Sequence, residues 1–509
     1  MTAKIISMGI FGMRSFMVDV EADISGGKFR FDMVGLPDTA VSEAKERVQA
    51  AIKNSGYGFP FSHIVVNLAP ADVKKEGSIY DLPIFIALLI AGKQLVINTD
   101  ETAFIGELSL SGDLRPVNGA LPMVIEAKKS GIKRVFLPEG NAAESAVVEG
   151  IDIYPVKNVK QLIGFFLGKE SEFPELKKFD SSENPVAQEE FVPDFSDVMG
   201  QHAAKRALEI AAAGGHNILM SGPPGSGKSM LAKRIPSILP DMTFEESLET
   251  TKIYSIAGEL KNKRGLIRKR PFRSPHHTVS APALSGGGTI PRPGELSLAH
   301  NGVLFLDELP EFQRITMEVM RQPIEDGEVT ISRVAGSLTY PCSVMLVAAM
   351  NPCPCGYLGH PLKSCSCSAG AVSRYRNKVS GPLLDRIDII IDVPAASFLE
   401  ISGSSSDEET SADIKKRVER AREVQRKRFE GTSVTCNAKM SAVQTREFCI
   451  MEDSAKELIR QNYESLGLSG RTYDKVLRVA RTIADLAGYN EIKREHIFEA
   501  LRFKNIDLE

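Results

Sequence analysis

Residues Gly222–Ser229 read GPPGSGKS, and this stretch decides the fold of the middle of the chain. It is a complete G-x-x-x-x-G-K-[ST] phosphate loop, in which glycines let backbone N–H groups point into one concavity around the phosphates. Ile218–Met220 is a short apolar strand before the loop, and Met230–Ile235 has helical periodicity after it. This strand–loop–helix context predicts a P-loop domain that binds ATP.

The loop and a second motif divide the work of holding a nucleotide and its metal ion. Lys228 adds a charge that reaches the β- and γ-phosphate oxygens, and Ser229 offers a hydroxyl to Mg²⁺. Further along, Val303–Glu308 reads VLFLDE, an apolar strand that would deliver Asp307 to the metal and Glu308 to the attacking water. We therefore expect ATP and Mg²⁺ as cofactors. The expected nucleotide-binding residues are Gly222, Pro223, Pro224, Gly225, Ser226, Gly227, Lys228, Ser229 and Asp307.

The overall composition indicates a globular protein of several domains. The chain has 509 residues, 43% hydrophobic and 25% charged, which is too long for a single core. Its net charge of −3 excludes a uniformly basic nucleic-acid coat but allows a locally basic channel. The apolar stretch Ile79–Ala91 is too short for a membrane span, and the N-terminus lacks a signal-peptide pattern. We predict a cytoplasmic protein without membrane partners.

Changes of pattern along the chain predict three domains and a linker. Residues 1–168 alternate strands and helices, whereas residues 169–195 are rich in charge and proline and form the expected linker. The nucleotide module covers 196–394, and a helical lid covers 395–509. In the first domain we expect a helix that opens at 37–39, stops at Gly56 and buries one face. Its apolar residues are Val41, Ala44, Val48, Ala51 and Ile52.

The stretch 105–138, IGELSLSGDLRPVNGALPMVIEAKKSGIKRVFLP, gives the first domain a recognisable pattern. This stretch, and the order of elements around 69–138, resemble the proteolytic domain of Lon proteases. The resemblance implies a Lon-protease-like (ribosomal S5 domain 2-like) α+β fold. It places the catalytic lysine position on or near Leu121, and the nucleophile-bearing turn near Tyr80-Asp81-Leu82, where no serine stands.

Three nearby polar residues do not restore a peptidase. Ser78 would need an activating base to attack a peptide. Lys74 and Lys75 could be proposed for that role, but solvated surface charges are the simpler interpretation. We expect a catalytically inert domain that serves as a scaffold or protein-contact domain.

Two segments after the VLFLDE strand resemble the hydrolysis machinery of AAA+ ATPases. Ala348–Pro352 ends an apolar strand with a polar tip, and by this resemblance Asn351 takes the place called sensor 1. Gly381–Asp388, GPLLDRID, looks like the arginine-finger region, so Arg386 would reach the active site of a neighbouring subunit. The alternative for Arg386 is a salt bridge to Asp385 or Asp388 in the same chain.

A third AAA+ position lies before an amphipathic helix near the C-terminus. Arg471, in Leu468-Ser469-Gly470-Arg471, sits where the lid of these ATPases places sensor 2. Gly470 is also a helix-start signal, so a capping role for this region is the alternative. The expected catalytic residues are Lys228, Glu308, Asn351, Arg386 and Arg471.

Two insertions resemble those of the magnesium-chelatase and MCM-helicase branch of AAA+ proteins. Arg270–Glu295 precedes the VLFLDE strand, and its adjacent pair His276 and His277 is better explained by a structural or channel-lining loop than by a metal site. Ile324–Tyr340 predicts a hairpin turning at Gly336. In that branch such hairpins face a channel, which would make Arg333 a DNA phosphate contact. A solvated strand arginine is the alternative.

Cys353, Cys355, Cys365 and Cys367 lie close together in the sequence and form two C-x-C pairs. Four thiolates are the soft ligands that tetrahedral Zn²⁺ prefers, although C-x-C is tighter than the usual C-x₂-C. His360 is an alternative fourth ligand, and an iron–sulfur cluster or free thiols are alternatives to zinc. We expect the remaining cysteines to be simple core or surface thiols.

Three strings identify the chain as a member of one family over nearly its whole length. They are RSPHHT (273–278), PGELSLAHNGVLFLDELPEF (293–312) and SGPLLDRIDI (380–389), specific to the YifB/ComM group of magnesium-chelatase-like ATPases. The resemblance implies a homo-oligomer, a hexameric ring, that hydrolyses ATP to move on branched or single-stranded DNA as a branch-migration helicase during integration of transforming DNA.

Two other classes of function stay open at this point. A metal-chelatase motor and a chaperone-like motor would both act on a protein partner. The segment 414–429 carries eight Lys or Arg residues against Glu419 and Glu423, so a nucleic-acid surface and a solvated charged helix are equally good interpretations.

Overall fold

The computed structural model describes residues 2–169, 175–180, 193–260, 265–288, 291–333, 336–395, 408–466 and 469–503. The chain divides into two compact units. The first unit comprises Met1–Glu189, Phe244–Ile267 and Ser332–Tyr340, and the second comprises Glu190–Thr243, Arg268–Ile331 and Pro341–Glu509. The expected linker lies largely outside the described residues. The predicted domain boundaries stay predictions, although 244–267 and 332–340 group with the first unit rather than with the nucleotide module.

A seven-stranded mixed sheet organises the first unit, in the order β3-β4-β2-β1-β5-β8-β9. Its strands are β1 (Thr2–Phe11), β2 (Arg14–Ser25), β3 (Arg30–Val34), β4 (His63–Ala69), β5 (Thr102–Phe104), β8 (Arg134–Pro138) and β9 (Asp152–Val156), and a small separate ladder pairs β6 (Glu107–Leu108) with β7 (Leu114–Arg115). β2 runs antiparallel to β1 and β4, while β3, β5, β8 and β9 pair in parallel with their neighbours.

Helices cover this sheet and bury the faces that the sequence pattern predicted. They span Thr39–Ser42, Ala44–Asn54, Asp81–Ala91, Ala120–Lys129, Ala142–Ser145, Val159–Leu167 and, from later in the chain, Phe244–Ala257. The predicted helix ending at Gly56 is interrupted at Glu43 and so forms two helices. Asp38 caps the start of the first one by accepting from Val41 N at 2.7 Å. Its predicted apolar face is confirmed: every one of the five side chains is fully buried.

The second unit is built on a five-stranded sheet in the order β11-β12-β15-β10-β16, with every pairing parallel. The strands are β10 (Ile218–Ser221), β11 (Phe272–Arg273), β12 (Val303–Leu306), β15 (Met345–Met350) and β16 (Ile389–Asp392). The helices around it span His202–Gly214, Lys228–Ile238, Ala281–Ser285, Glu295–Leu298, Arg314–Glu318, Arg321–Asp326, Ala369–Arg376 and Gly381–Leu384. Because parallel strands end at one edge, the loops after β10, β12 and β15 meet there.

The C-terminal part of this unit is helical, as predicted. Its helices span Ser411–Arg428, Ala442–Phe448, Asp453–Leu466, Gly470–Ala487 and Arg494–Arg502. The helices Ser411–Arg428 and Gly470–Ala487 pack on His202–Gly214 and so join this part to the sheet through one apolar core. No helix in the described ranges is long and apolar enough to cross a membrane.

Both insertions differ in detail from their sequence interpretation. The helix Arg321–Asp326 occupies the start of the expected hairpin, and the strands are β13 (Glu328–Arg333) and β14 (Gly336–Pro341). Gly336 therefore begins the second strand and is not the turn. The insertion 270–295 contributes β11, an edge strand of the sheet, so it is partly core and not wholly an interruption.

Candidate nucleotide-binding and hydrolysis site

The phosphate loop follows β10, which lies between β15 and β16 in the sheet. Gly222 has to be glycine because a Cβ there would lie 2.1 Å from the carbonyl oxygen of Val393. Gly225 and Gly227 adopt φ of +79° and +91°, which only glycine reaches without strain. Gly227 then leads into the helix Lys228–Ile238, whose N-terminus faces the loop as an anion-binding site requires.

The ammonium of Lys228 lies inside the loop and is buried. Its Nζ donates to the carbonyl oxygens of Gly222 at 2.6 Å and Pro223 at 2.8 Å, and lies 3.5 Å from Asn351 Oδ1. Burial lowers the pKa of Lys228, and the negative charge of Asp307 opposes that shift. The cation is thus held where phosphate oxygens would offer stronger partners than two neutral carbonyls.

The two residues expected to bind Mg²⁺ are in direct contact. Ser229 Oγ donates to Asp307 Oδ2 at 2.7 Å, and Asp307 Oδ1 accepts from the backbone N–H of Glu308 at 3.0 Å. A hydroxyl and a carboxylate oxygen are hard ligands of the kind that Mg²⁺ takes from protein when phosphates supply the rest. These residues fit the metal, and they confirm that β10 and β12 bring the two sequence motifs together.

Glu308 has a neighbour that sequence reasoning did not assign to the site. Its backbone has a left-handed φ of 53°, and its Oε2 lies 3.6 Å from His277 Nδ1. The rings of His276 and His277 are tilted by 35° to each other, with centroids 4.0 Å apart. His277 is therefore part of the site and not only a loop residue; the only signal was its place in the specific string RSPHHT.

The four clustered cysteines also meet, shortly after the end of β15. All four Sγ atoms lie within 4.8 Å of one another, with 3.4 Å between Cys353 and Cys355 and 3.6 Å from each of these to Cys365. Sulfurs bound 2.3 Å from one tetrahedral zinc are about 3.8 Å apart, so the group fits that ion. His360 is not part of the group: its Nδ1 accepts from Leu362 N at 3.0 Å.

The cysteine loop packs on the phosphate loop. Gly356, between the two C-x-C pairs, has φ +82°, and a Cβ there would lie 2.6 Å from Pro224 Cδ and 3.8 Å from Asn351 Cγ. Backbone N–H groups of Tyr357 and Ser366 lower the pKa of Cys355 to about 6, which favours the thiolate that a metal requires.

The contacts of Arg386 and Arg471 are with residues outside the phosphate loop of their own chain. Arg386 pairs with Glu325 and donates from Nη1 to the carbonyl oxygen of Pro382 at 2.8 Å, while its Nε has no hydrogen-bond partner in the described ranges. Arg471, the second residue of its helix, is exposed and lies 3.9 Å from Asp385. The expected alternative for Arg386, a bridge to Asp385 or Asp388, is therefore wrong.

The predicted alternative, a capping role for the region at the start of the lid helix, is confirmed through Ser469. Ser469 caps this helix by accepting from Thr472 N at 3.2 Å, which leaves Arg471 without a capping task. Arg333 ends β13, and its side chain lies outside the described part of the structure.

Most of the basic residues on the helix Ser411–Arg428 are held by the protein itself. Arg417 binds Glu209 and Glu409, and Arg428 binds the buried Asp485. Lys415 pairs with Asp241 at 2.6 Å. The charges of this helix thus join it to the rest of the second unit, which supports the structural interpretation over a nucleic-acid surface.

The first unit has no Lon-type dyad at the two expected positions. Leu121 is a buried aliphatic residue on the helix Ala120–Lys129. Asp81 is fully buried and accepts from Arg47 Nε at 2.6 Å and from Leu108 N at 3.1 Å. Burial raises the pKa of Asp81 to about 6, against the lowering effect of Arg47.

The neighbouring polar residues do not form a dyad either. Ser78 Oγ donates to the carboxylate of Glu107, which also pairs with Arg115. Lys74 pairs with Glu76, as a surface charge would. The surface interpretation is wrong for Lys75, which is buried and donates to the carbonyl oxygens of Pro70 and Val73, and burial lowers its pKa.

Comparison with known proteins places the whole chain in one family. Family models match three stretches: residues 20–141 match "Subunit ChlI of Mg-chelatase", 194–401 match "Magnesium chelatase, subunit ChlI", and 408–504 match its C-terminal part. YifB of Escherichia coli is 44% identical over 97% of this chain and 96% of its own length. The competence protein ComM of Haemophilus influenzae is 40% identical over 99% and 97%. The chain belongs to the YifB/ComM family of magnesium-chelatase-like AAA+ ATPases.

The Lon likeness of the fold is confirmed as well. Lon protease 2 of Bacillus subtilis is 28% identical over 177 residues, 32% of this chain and 31% of its own length. The AAA+ family implies ATP and Mg²⁺ as cofactors, and the geometry of Lys228, Ser229 and Asp307 fits both.

Proposed function

We propose that this YifB/ComM family member is an ATP-hydrolysing ring motor that acts on DNA. The observation that carries the ATPase part is the meeting of Lys228, Ser229, Asp307 and Asn351 at one edge of the parallel sheet. In this proposal Lys228 and the loop N–H groups bind the phosphates, Ser229 and Asp307 hold Mg²⁺, and Glu308 orients the attacking water. The metal supplies charge neutralisation at the phosphates when it is bound.

Two arginines complete the proposed site from outside the phosphate loop. Arg386 would reach the site of the next copy in a ring, where its guanidinium would stabilise the charge on the transferring phosphoryl group. Its present partners are a glutamate that is 56% exposed and one carbonyl, which a phosphate could replace at small cost. Arg471, exposed on the lid helix, takes the sensor 2 role in the same proposal. A hexamer is the expected ring.

The DNA part of the proposal is supported by the relatives. One of them is named a competence protein, and competence is the ability of cells to take up DNA. We infer a branch-migration helicase that promotes integration of transforming DNA, with Arg333 on the β13–β14 hairpin as a phosphate contact. A chelatase-type or chaperone-like motor on a protein partner is the second candidate, favoured by the family models for a magnesium-chelatase subunit.

We also propose that the four cysteines hold a structural zinc ion. None of the seven cysteines is in a disulfide, which fits a reducing, cytoplasmic location. Metal analysis of the purified chain should give about one zinc per chain, a visible absorption band would indicate an iron–sulfur cluster instead, and no metal would favour free thiols. Replacing Cys365 and Cys367 by serine should abolish the metal, whereas Cys342→Ser should not. Unchanged metal content in the double variant would contradict the assignment.

The first unit is proposed to be a scaffold without peptidase activity. The expected nucleophile-bearing turn, near Tyr80-Asp81-Leu82, holds Asp81 in a buried ion pair, and the aliphatic Leu121 stands on or near the expected lysine position. Neither offers a serine nucleophile or its base.

The decisive assay uses purified protein, ATP and a synthetic Holliday junction. Wild type should move the branch only with ATP, and branched DNA should stimulate its ATPase. Glu308→Gln should lower both rates by about a hundredfold or more, because it removes the group that activates water. Glu311→Gln is the matched control: this nearby surface carboxylate pairs with Lys378, and its loss should change neither rate.

The outcomes separate the candidates. If wild type and Glu308→Gln leave the junction equally intact, the helicase proposal fails. Stimulation of the ATPase by a protein partner and not by DNA would favour the chelatase-type or chaperone-like motor.

A further inference from the structure

A cluster of three phenylalanines lies on the first unit, and two of its members are exposed. Phe29 precedes the edge strand β3, and Phe59 and Phe61 precede β4. The ring centroids of Phe29 and Phe61 are 5.8 Å apart, and each lies about as close to Phe59, at 6.1 and 6.2 Å. Phe59 is buried and anchors the cluster, whereas Phe61 is 67% and Phe29 43% exposed. Such paired, exposed aromatic rings indicate an interaction surface.

Two lysines of the helix Ala44–Asn54 flank the exposed rings. Lys45 Nζ lies 5.7 Å from the ring centroid of Phe29, and Lys53 Nζ lies 5.7 Å from that of Phe61. Lys45 is partly neutralised by Glu46 at 3.5 Å, whereas Lys53 forms no ion pair within the described ranges. Each exposed ring therefore has a cation beside it, and one of these cations is free to meet an anion.

We propose that Phe29, Phe61, Lys45 and Lys53 form a stacking platform for single-stranded nucleic acid. This assignment rests on the proposed function, which supplies DNA as the strand. Unpaired bases stack on aromatic side chains with about 1–3 kcal/mol per base, and neighbouring ammonium groups bind the phosphates between them. Binding should tolerate any sequence because aromatic rings and ammonium groups make no base-specific pattern of hydrogen bonds.

The charges decide between nucleic acid and a protein partner. Protein interfaces are depleted of lysine at their centres, where burial would leave an ammonium without water. Here an ammonium stands beside each exposed ring, which is the combination that single-stranded nucleic acid requires.

The absence of tryptophan from the chain gives a direct test. Phe61→Trp places a lone tryptophan in the stacking platform of the full-length protein. Phe498→Trp is the matched control, because Phe498 is similarly exposed, at 59%, on the helix Arg494–Arg502 of the second unit. Titration with an oligothymidylate strand should quench the emission of Trp at 61 roughly twofold or more, as base stacking does, and leave the control nearly unchanged.

Two further variants test the parts of the platform. Replacing both Phe29 and Phe61 by alanine should weaken oligothymidylate binding roughly tenfold or more. Lys53→Gln should reduce the dependence of log affinity on log salt by about 0.7, the value for one contact to a single strand.

Two results of the fluorescence titration would overturn the platform, and a third comes from comparing it with the ATPase assay. One is equal quenching at positions 61 and 498; the other is a blue shift at 61 that follows protein concentration without DNA, which would make the surface a contact between copies. DNA stimulation of the ATPase, measured in the same samples, keeps the two proposals apart. If DNA stimulates the ATPase without quenching Trp emission at 61, the stacking platform is refuted and the motor proposal stands. If DNA quenches this emission without stimulating the ATPase, the motor proposal is refuted and the platform stands.

Discussion

Removal of Arg47 tests whether the buried pair in the first unit is structural. Arg47 and Asp81 join the helix Ala44–Asn54 to the start of the helix Asp81–Ala91, and Asp81 is fully buried. Arg47→Met leaves the carboxylate with the N–H of Leu108 as its remaining partner. A buried pair broken on one side typically loses about 3–5 kcal/mol, but a carboxylate can also escape by taking up a proton.

The pKa of Asp81 sets the size of the loss. Folding raises it from an ordinary value near 3.9 to about 6, so Asp81 favours folding at low pH and this contribution is lost as the pH rises through 6. At pH 7 protonation costs about 1.4 kcal/mol, and the two hydrogen bonds lost with Arg47 together add about 1 kcal/mol. The variant should therefore lose about 2.5 kcal/mol at pH 7 and only about 1 kcal/mol at pH 5, where Asp81 is already protonated.

Hydrogen exchange of the amides in the helix Asp81–Ala91 measures this loss directly. Relative to wild type at the same pH, protection should fall roughly sixtyfold at pH 7 and fivefold at pH 5. Lys133→Met is the control, since its pair with Glu101 at 2.8 Å is exposed and should contribute under about 0.5 kcal/mol. A penalty for Arg47→Met that is equal at both pH values, or no larger than that of the control, would refute the reasoning.

Two other predictions concern the second unit. Gly356→Ala should weaken ATP binding about tenfold in calorimetry, because strain at φ +82° and a Cβ 2.6 Å from Pro224 would displace the phosphate loop. Gly370→Ala is its control and should bind ATP normally, because a Cβ there meets nothing within 4 Å. Equal affinities of the two variants would contradict a coupling between the cysteine loop and the phosphate loop. His277→Ala should lower kcat for ATP hydrolysis about tenfold with KM unchanged, because His277 holds Glu308 and not the nucleotide. The exposed His202→Ala is its control, and a change confined to KM would count against this role.

Local pattern was sufficient for the elements that carry the nucleotide chemistry. The strands at Ile218 and Val303 were predicted from short apolar runs beside the two motifs. Once the strands are parallel, the contact between Ser229 and Asp307 follows, because both residues stand just beyond carboxyl ends at one edge. The meeting of the clustered cysteines was equally predictable, since all four lie within the short stretch 353–367.

Contacts that depend on how segments pack together in the folded chain could not be predicted from the sequence. His277 reaches Glu308 because β11 pairs with β12 as an edge strand, and a strand of two residues has no periodicity to detect. Lys75 looked like a surface charge because its partners are backbone carbonyls, which no side-chain pattern encodes. The interruption at Glu43 is likewise decided by packing, since the predicted buried face continues across it.

The residue in the expected nucleophile-bearing turn is accommodated as part of the core of the first unit. Asp81 begins a helix whose side chains are buried almost throughout, so any residue there must be compatible with the core. A carboxylate without partners would not be compatible with this core. Here, however, Arg47 from a neighbouring helix and the N–H of Leu108 donate hydrogen bonds to Asp81. Asp81 thus links two helices and β6 through its hydrogen bonds, at a point where a catalytic site would need an exposed, reactive group. The exposed rings of Phe29 and Phe61 lie on the surface of this unit, outside the core that Asp81 helps to hold.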